Sequence, residues 1–153
     1  MILKRRNILK ILSYSILLLC SPIKTIYAAT KKIINQNLSS QQKDIMFNQG
    51  TERAFTSSLL NEKRKGFYHC ANCGNKLFSS EAKFDSGTGW PSFSEALPGA
   101  FKTRVDFSFG MMRTEYHCAK CGAHHGHVFN DGPTKTKKRF CNNGLCLIFK
   151  PST

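Results

Sequence analysis

The sequence predicts a small, mainly β domain with short helices near its N-terminus. Apolar and polar residues alternate in FKTRVDFSF (101–109), and LCLIF (145–149) is a short apolar run, both typical of strands. Glycine-containing turns such as SGTGWPS (86–92) and NDGP (130–133) separate these segments, as expected for antiparallel strands. Two C-x-x-C pairs add the third observation, because a metal bound to both would clip distant strands together.

The first 28 residues have the layout of a secretory signal peptide. A basic start, MILKRRNILK, is followed by an apolar run, ILSYSILLLC, and the segment ends at Ala28. The apolar run is too short to span a bilayer comfortably, so we expect no stable membrane anchor. Lipidation at Cys20 is the weaker alternative, since Leu19 precedes it where a small residue is usual. We predict cleavage after Ala28 and an exported, periplasmic protein.

The remainder of the chain is predicted to be a loose linker at residues 29–37 and one domain at residues 38–153, too short for two ordinary domains. Serines open SSQQKDIMFNQG, as at a helix N-cap, and the helix should end near Gly50. We expect the folded chain to be a monomer.

A basic surface remains after removal of the signal peptide. Of the 23 Lys and Arg, 5 lie in the leader, and all 9 acids lie outside it, which leaves a net charge of +9. An exported protein rarely meets nucleic acid, so we expect no nucleic-acid partner and interpret most of this charge as solvated surface. The cluster KTKKR (135–139) is of more interest, because it precedes Cys141.

The two C-x-x-C pairs predict a structural zinc site. They comprise Cys70 with Cys73 and Cys118 with Cys121, and a glycine follows each pair. Four thiolates form the tetrahedral shell that structural zinc prefers. Two disulfides are the alternative, since an oxidising compartment allows them. A thioredoxin-like redox role is disfavoured, because no βαβ pattern surrounds either pair.

A further cysteine, Cys141, lies among cations and polar residues in KKRFCNNG. Nearby positive charge favours the thiolate, which is the nucleophile, so an enzyme in which Cys141 attacks a substrate is one interpretation of this segment. Two other classes compete with this interpretation. One is a secreted zinc-ribbon module that binds acidic polymers, which would need no fifth thiol, and the other is a disulfide-stapled structural protein without zinc.

The ordered motifs KFDSGTGWPSF, HHGHVFNDGP and RFCNNGLCLIFKP, together with NQGTERAFT upstream, resemble the methionine sulfoxide reductase B family over residues 38–151. The resemblance implies a β fold of two antiparallel sheets, often with zinc held by four cysteines. It also implies reduction of methionine (R)-S-oxide, free or in peptides, with a thioredoxin-like or other thiol reductant as partner. Repair of oxidised exported proteins would follow from the predicted location.

The resemblance also implies roles for individual residues. Cys141 matches the catalytic cysteine, and Trp90 matches the indole that receives the methyl group of the substrate. The other positions matched to the catalytic site are His124, His127, Asn143, Arg139 and Asp131.

The chemistry is consistent with these residue types. A thiolate that attacks the sulfoxide sulfur becomes a sulfenic acid as methionine leaves. Arg139, with Lys137 and Lys138, would favour the thiolate, histidines can supply protons near neutral pH, and Asn143 can donate a hydrogen bond to the departing oxygen.

Three positions depart from the family pattern. His125 stands where an apolar residue is usual, Gly144 where serine is frequent, and Thr88 where many members have a resolving cysteine. The remaining thiol outside the pairs, Cys146, would lie on the opposite face from Cys141 if the segment were a strand. We therefore expect Cys146 to be buried and the sulfenic acid to be reduced by an external thiol. A looped Asn142–Gly144 segment would instead allow a Cys141–Cys146 disulfide.

Overall fold

The protein is described here by a computed structural model that covers residues 31–153, so the predicted signal peptide lies outside the described residues. Within this range there is one α-helix, α1 (Ser40–Asn48), and nine strands. The strands are β1 (Gly66–Cys70), β2 (Lys76–Ser79), β3 (Lys83–Phe84), β4 (Ser92–Phe93), β5 (Phe101–Asp106), β6 (Arg113–Cys118), β7 (His124–Phe129), β8 (Arg139–Asn142) and β9 (Leu147–Pro151). Short 3-10 turns lie at Ser58–Asn61, Ser80–Ala82, Ser108–Gly110 and Gly144–Cys146.

The strands form two antiparallel sheets, as predicted. The smaller sheet has the order β2-β1-β9, and the larger has the order β3-β4-β8-β7-β6-β5. In the larger sheet, β8 lies between β4 and β7, so Cys141 is opposite Ser92 on one side and His127 on the other. Segments distant in sequence therefore meet at the nucleophile predicted from the sequence.

Aromatic side chains join the two sheets. Phe78 of the smaller sheet stacks on Phe93 of the larger one, with 4.0 Å between ring centroids, and both are fully buried. Tyr68 packs edge-on against Phe93 at 4.9 Å, and Tyr116 approaches Phe78 in the same manner. Each such pair contributes roughly 0.5–1.5 kcal/mol beyond the burial of its area. The core therefore holds the sheets in a fixed relation beneath the strands that carry the site.

Helix α1 is short and depends on its cap and its packing. The Ser39 hydroxyl accepts a hydrogen bond from the Gln42 backbone, and the Gln42 side chain accepts one from the Ser39 backbone, forming a capping box. Ile45 and Met46 are buried against the core. The helix ends where Gln49 adopts a left-handed conformation, next to the predicted Gly50. Over residues 31–153, no helix has the length and apolar character needed to cross a membrane.

The segment predicted as a loose linker is held in place over its described part. Asn72 accepts hydrogen bonds from the backbone of Ile34 and Asn35, at 2.8 and 3.1 Å, and donates one to the Lys32 carbonyl. The Lys32 amide also donates to the Cys121 carbonyl at 3.2 Å. The looseness predicted for residues 31–37 is therefore wrong, because this segment is bonded to the turns that carry the cysteine pairs.

Two predicted strands differ in their limits. The alternating segment at 101–109 forms β5 only to Asp106, after which a 3-10 turn begins at Ser108. The apolar run at 145–149 contributes to β9 only from Leu147, because Gly144–Cys146 form a tight turn. This turn carries the chain from the larger sheet into the smaller one.

Candidate active site

The four paired cysteines form one group between the two sheets. Cys70 ends β1 and Cys118 ends β6, and the four sulfur atoms all lie within 4.8 Å of one another. The Cys70–Cys121 sulfurs are 3.8 Å apart and the Cys73–Cys118 sulfurs 3.6 Å apart. A tetrahedron with zinc–sulfur bonds of about 2.3 Å has edges of about 3.8 Å, so the group fits zinc.

Each pair is shaped by the same kind of turn. Gly74 and Gly122 both have φ of +71° and donate to the carbonyls of Cys70 and Cys118, at 2.8 and 2.9 Å. A residue with a side chain would be strained at this φ, which explains the glycine after each pair. All four thiols are free, so the disulfide alternative is not supported.

Cys141 lies in a cavity of about 130 Å³. The cavity is lined by Thr51, Trp90, Arg113, His124, Gly126, His127, Phe129, Cys141, Asn142 and Asn143. Its lining therefore includes Cys141, Trp90, both predicted histidines and Asn143. Arg139 and Asp131 are absent from the lining.

The glycine between the histidines allows β7 and β8 to approach closely. A Cβ atom at Gly126 would lie 2.0 Å from the Cys141 carbonyl oxygen, which leaves no room for a side chain. His124 and His127 flank this point on β7, and His127 is opposite Cys141 in the register. The H-x-G-H spacing thus brings two imidazoles to the strand that carries the thiol.

Burial opposes ionisation of the Cys141 thiol. It raises the pKa of Cys141 above its ordinary value, while the Arg139 charge and a hydrogen bond from Thr88 lower it in part. The Arg139 charge acts in the predicted direction, but burial has the larger effect on the pKa of Cys141. Lys137 and Lys138 are exposed on the preceding loop.

His124 is held by a buried carboxylate that the sequence analysis missed. Its Nδ1 lies 2.7 Å from an oxygen of Glu115, which is fully buried on β6. Arg104 and Gln49 bond the other oxygen of Glu115. Burial opposes the charge on Glu115, but hydrogen bonds from His124 and Arg104 lower its pKa to about 2. Glu115 therefore remains a carboxylate and fixes the ring of His124.

His127 has an equivalent partner, also missed. Its Nε2 lies 2.7 Å from Asp106, and Arg113 donates to the same carboxylate oxygen at 2.8 Å. Burial lowers the pKa of His127, although the bond to Asp106 opposes this shift. Asp106 is opposite Arg113 in the register of β5 and β6. Once these two strands are aligned as a pair, the sequence would therefore indicate that Asp106 lies next to Arg113.

Arg139 and Asp131 form a pair beside the cavity. Two guanidinium nitrogens of Arg139 each lie 2.8 Å from an oxygen of Asp131, and its charged end stacks over the Phe129 ring at 4.5 Å. The Asp131 side chain is 58% exposed, whereas Arg139 is nearly buried. Asp131 therefore orients Arg139, which acts on the Cys141 thiol through its charge and through a side-chain hydrogen bond.

One residue missed in the sequence, Glu52, connects the remaining site groups. Its backbone amide donates to the Asn143 side-chain oxygen at 2.9 Å, and its carbonyl accepts from the Trp90 indole at 2.8 Å. Its buried carboxylate accepts from the backbone of Leu145 at 3.2 Å, and also from that of Gly144. Glu52 thus ties both predicted substrate-contacting residues to the turn that follows Cys141.

Asn143 is held by its amide group. Besides the bond to Glu52, its Nδ2 donates to the His125 carbonyl at 3.0 Å, and its backbone amide donates to the same oxygen. These bonds fix the turn directly after β8. The hydrogen bond from Asn143 to a departing oxygen stays a prediction.

The departures at positions 125 and 144 have structural reasons. His125 is fully buried against the Phe101 ring, and burial lowers its pKa to about 4, so it is a neutral core residue. A Cβ atom at Gly144 would lie 1.9 Å from the Ser57 hydroxyl oxygen. Ser57 therefore occupies the space that a side chain at 144 would need.

Cys146 is fully buried, as predicted, but for a different reason from the one given. The segment between it and Cys141 is a turn, not a strand, and the Cys146 amide donates to the Asn143 carbonyl at 3.0 Å. Burial raises the pKa of Cys146 well above its ordinary value. Cys146 is also absent from the cavity lining.

Comparison with known proteins identifies the family. A SelR domain matches residues 38–151. The chain is 54% identical over 115 residues to the peptide methionine sulfoxide reductase MsrB of Thiobacillus denitrificans, covering 74% of this chain and 87% of that protein. The MsrB proteins of Synechococcus sp. and Agrobacterium fabrum are 53% and 48% identical over 117 residues, covering 76% of this chain and 86% and 87% of those proteins. The chain therefore belongs to the SelR-domain family that includes the peptide methionine sulfoxide reductases MsrB.

Proposed function

We propose that this enzyme reduces methionine (R)-S-oxide in proteins and peptides through Cys141. The observation that carries the proposal is the cavity in which Trp90, the Cys141 thiol and two carboxylate-held imidazoles meet. A methyl sulfoxide has one apolar and one polar end, and the indole and the imidazoles match these ends. Membership of the MsrB family supports the same reaction.

In the proposed reaction, both the sulfoxide oxygen and the thiol proton end on the Cys141 sulfenic acid. The Cys141 sulfur bonds to the sulfoxide sulfur; the oxygen then forms a bond to the Cys141 sulfur as the substrate sulfur–oxygen bond and the new sulfur–sulfur bond break, which leaves a sulfenic acid and methionine. The net step needs no proton from solvent, because the proton that leaves the Cys141 thiol is the one that the oxygen takes up. His124 and His127 would carry this proton between the two atoms.

Arg139 assists formation of the thiolate, since its charge partly offsets the raised pKa of Cys141. The sulfenic acid is then reduced by two equivalents of an external thiol, which are oxidised to a disulfide as Cys141 is restored and water is released. Thr88 and buried Cys146 favour this route, because threonine forms no disulfide and Cys146 is outside the cavity.

We also propose that Cys70, Cys73, Cys118 and Cys121 hold a structural zinc ion. The ion would supply a covalent link between the two sheets, and the sulfur distances fit it. Export as a periplasmic repair enzyme is a further part of the proposal and depends on the predicted signal peptide.

The test is turnover of separated R and S epimers of N-acetyl-methionine sulfoxide by the wild-type enzyme and by Cys141→Ser. We expect reduction of the R epimer alone and none by the variant. Equal activity on the S epimer, or full activity in the variant, would refute the proposal. A secreted zinc-ribbon binding module would show zinc but no turnover.

A further inference from the structure

The cavity admits only the end of one side chain. At about 130 Å³, it can hold the sulfoxide group and adjoining carbons, so the main chain of a peptide substrate must lie on the surface around its mouth. The residues at this rim therefore decide which polypeptides bind well. A role of this rim in peptide binding rests on the proposed function.

One end of the rim carries an exposed apolar loop, residues 107–112, between β5 and β6. Its side chains include Phe107 and Met112, which are 70% and 78% exposed, and Met111, which is 56% exposed. Asp106 and Arg113 join at 2.8 Å across the base of the loop. Arg113 lines the cavity and Asp106 holds His127, so the base of the loop is part of the site.

The other end of the rim carries a second exposed aromatic residue. Phe55 is 71% exposed and adopts a left-handed φ of +65°. Its amide donates to the Gly89 carbonyl at 2.8 Å, and a Cβ atom at Gly89 would lie 2.8 Å from its ring. Gly89 precedes Trp90, which lines the cavity, so Phe55 packs against the segment that carries the indole.

The sheet order places these two apolar groups on opposite sides of the nucleophile. From Trp90 before β4, the order runs through β8 with Cys141 and β7 with the histidines to β6, where Arg113 begins the strand. Three strand spacings of about 4.8 Å amount to ~14 Å. An extended polypeptide rises about 3.3 Å per residue, so roughly four to five residues span this distance.

We propose that the rim binds an extended, oxidised polypeptide segment with apolar side chains about two residues before and after the methionine sulfoxide. Phe55 contacts one flanking side chain, and the 107–112 loop contacts the other. Exposed apolar side chains adjacent in sequence to the cavity residue Arg113 and packed beside Gly89 fit this occupant, because methionines in protein cores have apolar neighbours.

Two pentapeptides test the proposal, each blocked at both ends with methionine (R)-S-oxide in the third position. One has leucine in the first and fifth positions, and the other has serine there. We expect kcat/KM for the leucine peptide to exceed that for the serine peptide about fivefold, since partial burial of apolar side chains favours binding. In Phe107→Ser/Met112→Ser this ratio should fall towards one, with N-acetyl-methionine (R)-S-oxide turnover unchanged.

Matched controls come from the same chain. Ile148→Ser changes an apolar residue that is 44% exposed on β9, in the other sheet, and should keep the wild-type ratio. Phe55→Asn should also lower the ratio, because it removes the apolar ring. Asparagine is chosen because it tolerates the left-handed backbone at this position, so the fold should be kept. A ratio of one in the wild-type enzyme would overturn the proposal, as would equal losses on all three substrates in the loop variant.

Binding provides a readout that is independent of turnover. Trp90 is the sole tryptophan of the chain, so its fluorescence in Cys141→Ser reports occupation of the cavity. Tighter binding of the leucine peptide without any turnover in the wild-type enzyme would support the rim and refute the proposed activity. If the loop variant changed the mass of the protein in solution from dimer to monomer and kept the peptide preference, the loop would be an interface between copies instead.

Discussion

Glu52 provides the sharpest test of how the site is held together. In Glu52→Ala, the backbone amides of Gly144 and Leu145 lose their buried acceptor. An unsatisfied buried donor costs about 1–3 kcal/mol. Two donors lose their acceptor, but water that enters the vacated space would offset part of the combined cost. We therefore expect the free energy of unfolding to fall by roughly 2–4 kcal/mol.

The matched variant Glu52→Gln separates the loss of the acceptor from the loss of charge. Glutamine keeps one acceptor oxygen, so its loss should be at most about 1 kcal/mol. Burial raises the pKa of Glu52, so a proton binds more readily to its folded form, and the stabilisation by this proton is lost as the pH rises through the folded pKa. The free energy of unfolding of Glu52→Gln, relative to that of the wild type, should therefore be higher at pH 8 than at pH 5.

Urea unfolding of the zinc-loaded proteins at both pH values measures these differences, and kcat for N-acetyl-methionine (R)-S-oxide measures the effect on the site. We expect a lower kcat in Glu52→Ala, because the turn after Cys141 is no longer anchored, and substantial rescue in Glu52→Gln. A loss below about 0.5 kcal/mol in the alanine variant, or equal losses in both variants, would refute the anchoring role.

Three further predictions concern the cysteines. Arg139→Gln should raise the pKa of Cys141 further, so iodoacetamide should alkylate Cys141 more slowly at pH 8; an unchanged rate would contradict the proximity of the charge. Cys118→Ser should lose zinc and unfold, because zinc binding of about 10–16 kcal/mol exceeds the stability of most domains; metal analysis and circular dichroism check this. Cys146→Ala should keep its multiple-turnover rate with dithiothreitol, and a mapped Cys141–Cys146 disulfide after a single turnover would show that the buried thiol resolves the sulfenic acid.

The sequence predicted the parts of the site that depend on local spacing. The C-x-x-C-G segments indicated a four-sulfur group because turn geometry is set within five residues, and alternation at 101–109 indicated most of β5. The partners of the histidines could not be predicted in this way. Glu115 and Asp106 reach His124 and His127 only through the strand order, which no local pattern contains.

The state of the Cys141 thiol was also outside the reach of the sequence. Neighbouring cations in KKRFC are visible in the sequence, but the extent of burial depends on how β4 and β7 enclose β8. The Arg139 charge lowers the pKa of Cys141, as inferred from the sequence, but the larger effect of burial has no local signal in the sequence. Glu52 was missed for a related reason, since a carboxylate between Thr51 and Arg53 looks like an ordinary surface residue.

The cysteine group between the sheets has a consequence for survival under oxidative stress. An oxidant that converts methionine to its sulfoxide also attacks thiolates, and more oxidised states of cysteine are not readily reversed. Cys70, Cys118 and Cys121 are buried, whereas Cys73 is partly accessible, so we expect damage to begin at Cys73. Loss of one sulfur would weaken the link between the sheets and the anchorage of residues 31–35. If external thiols restore Cys141 as proposed, the concentration of oxidant that the enzyme withstands would then be set by Cys73.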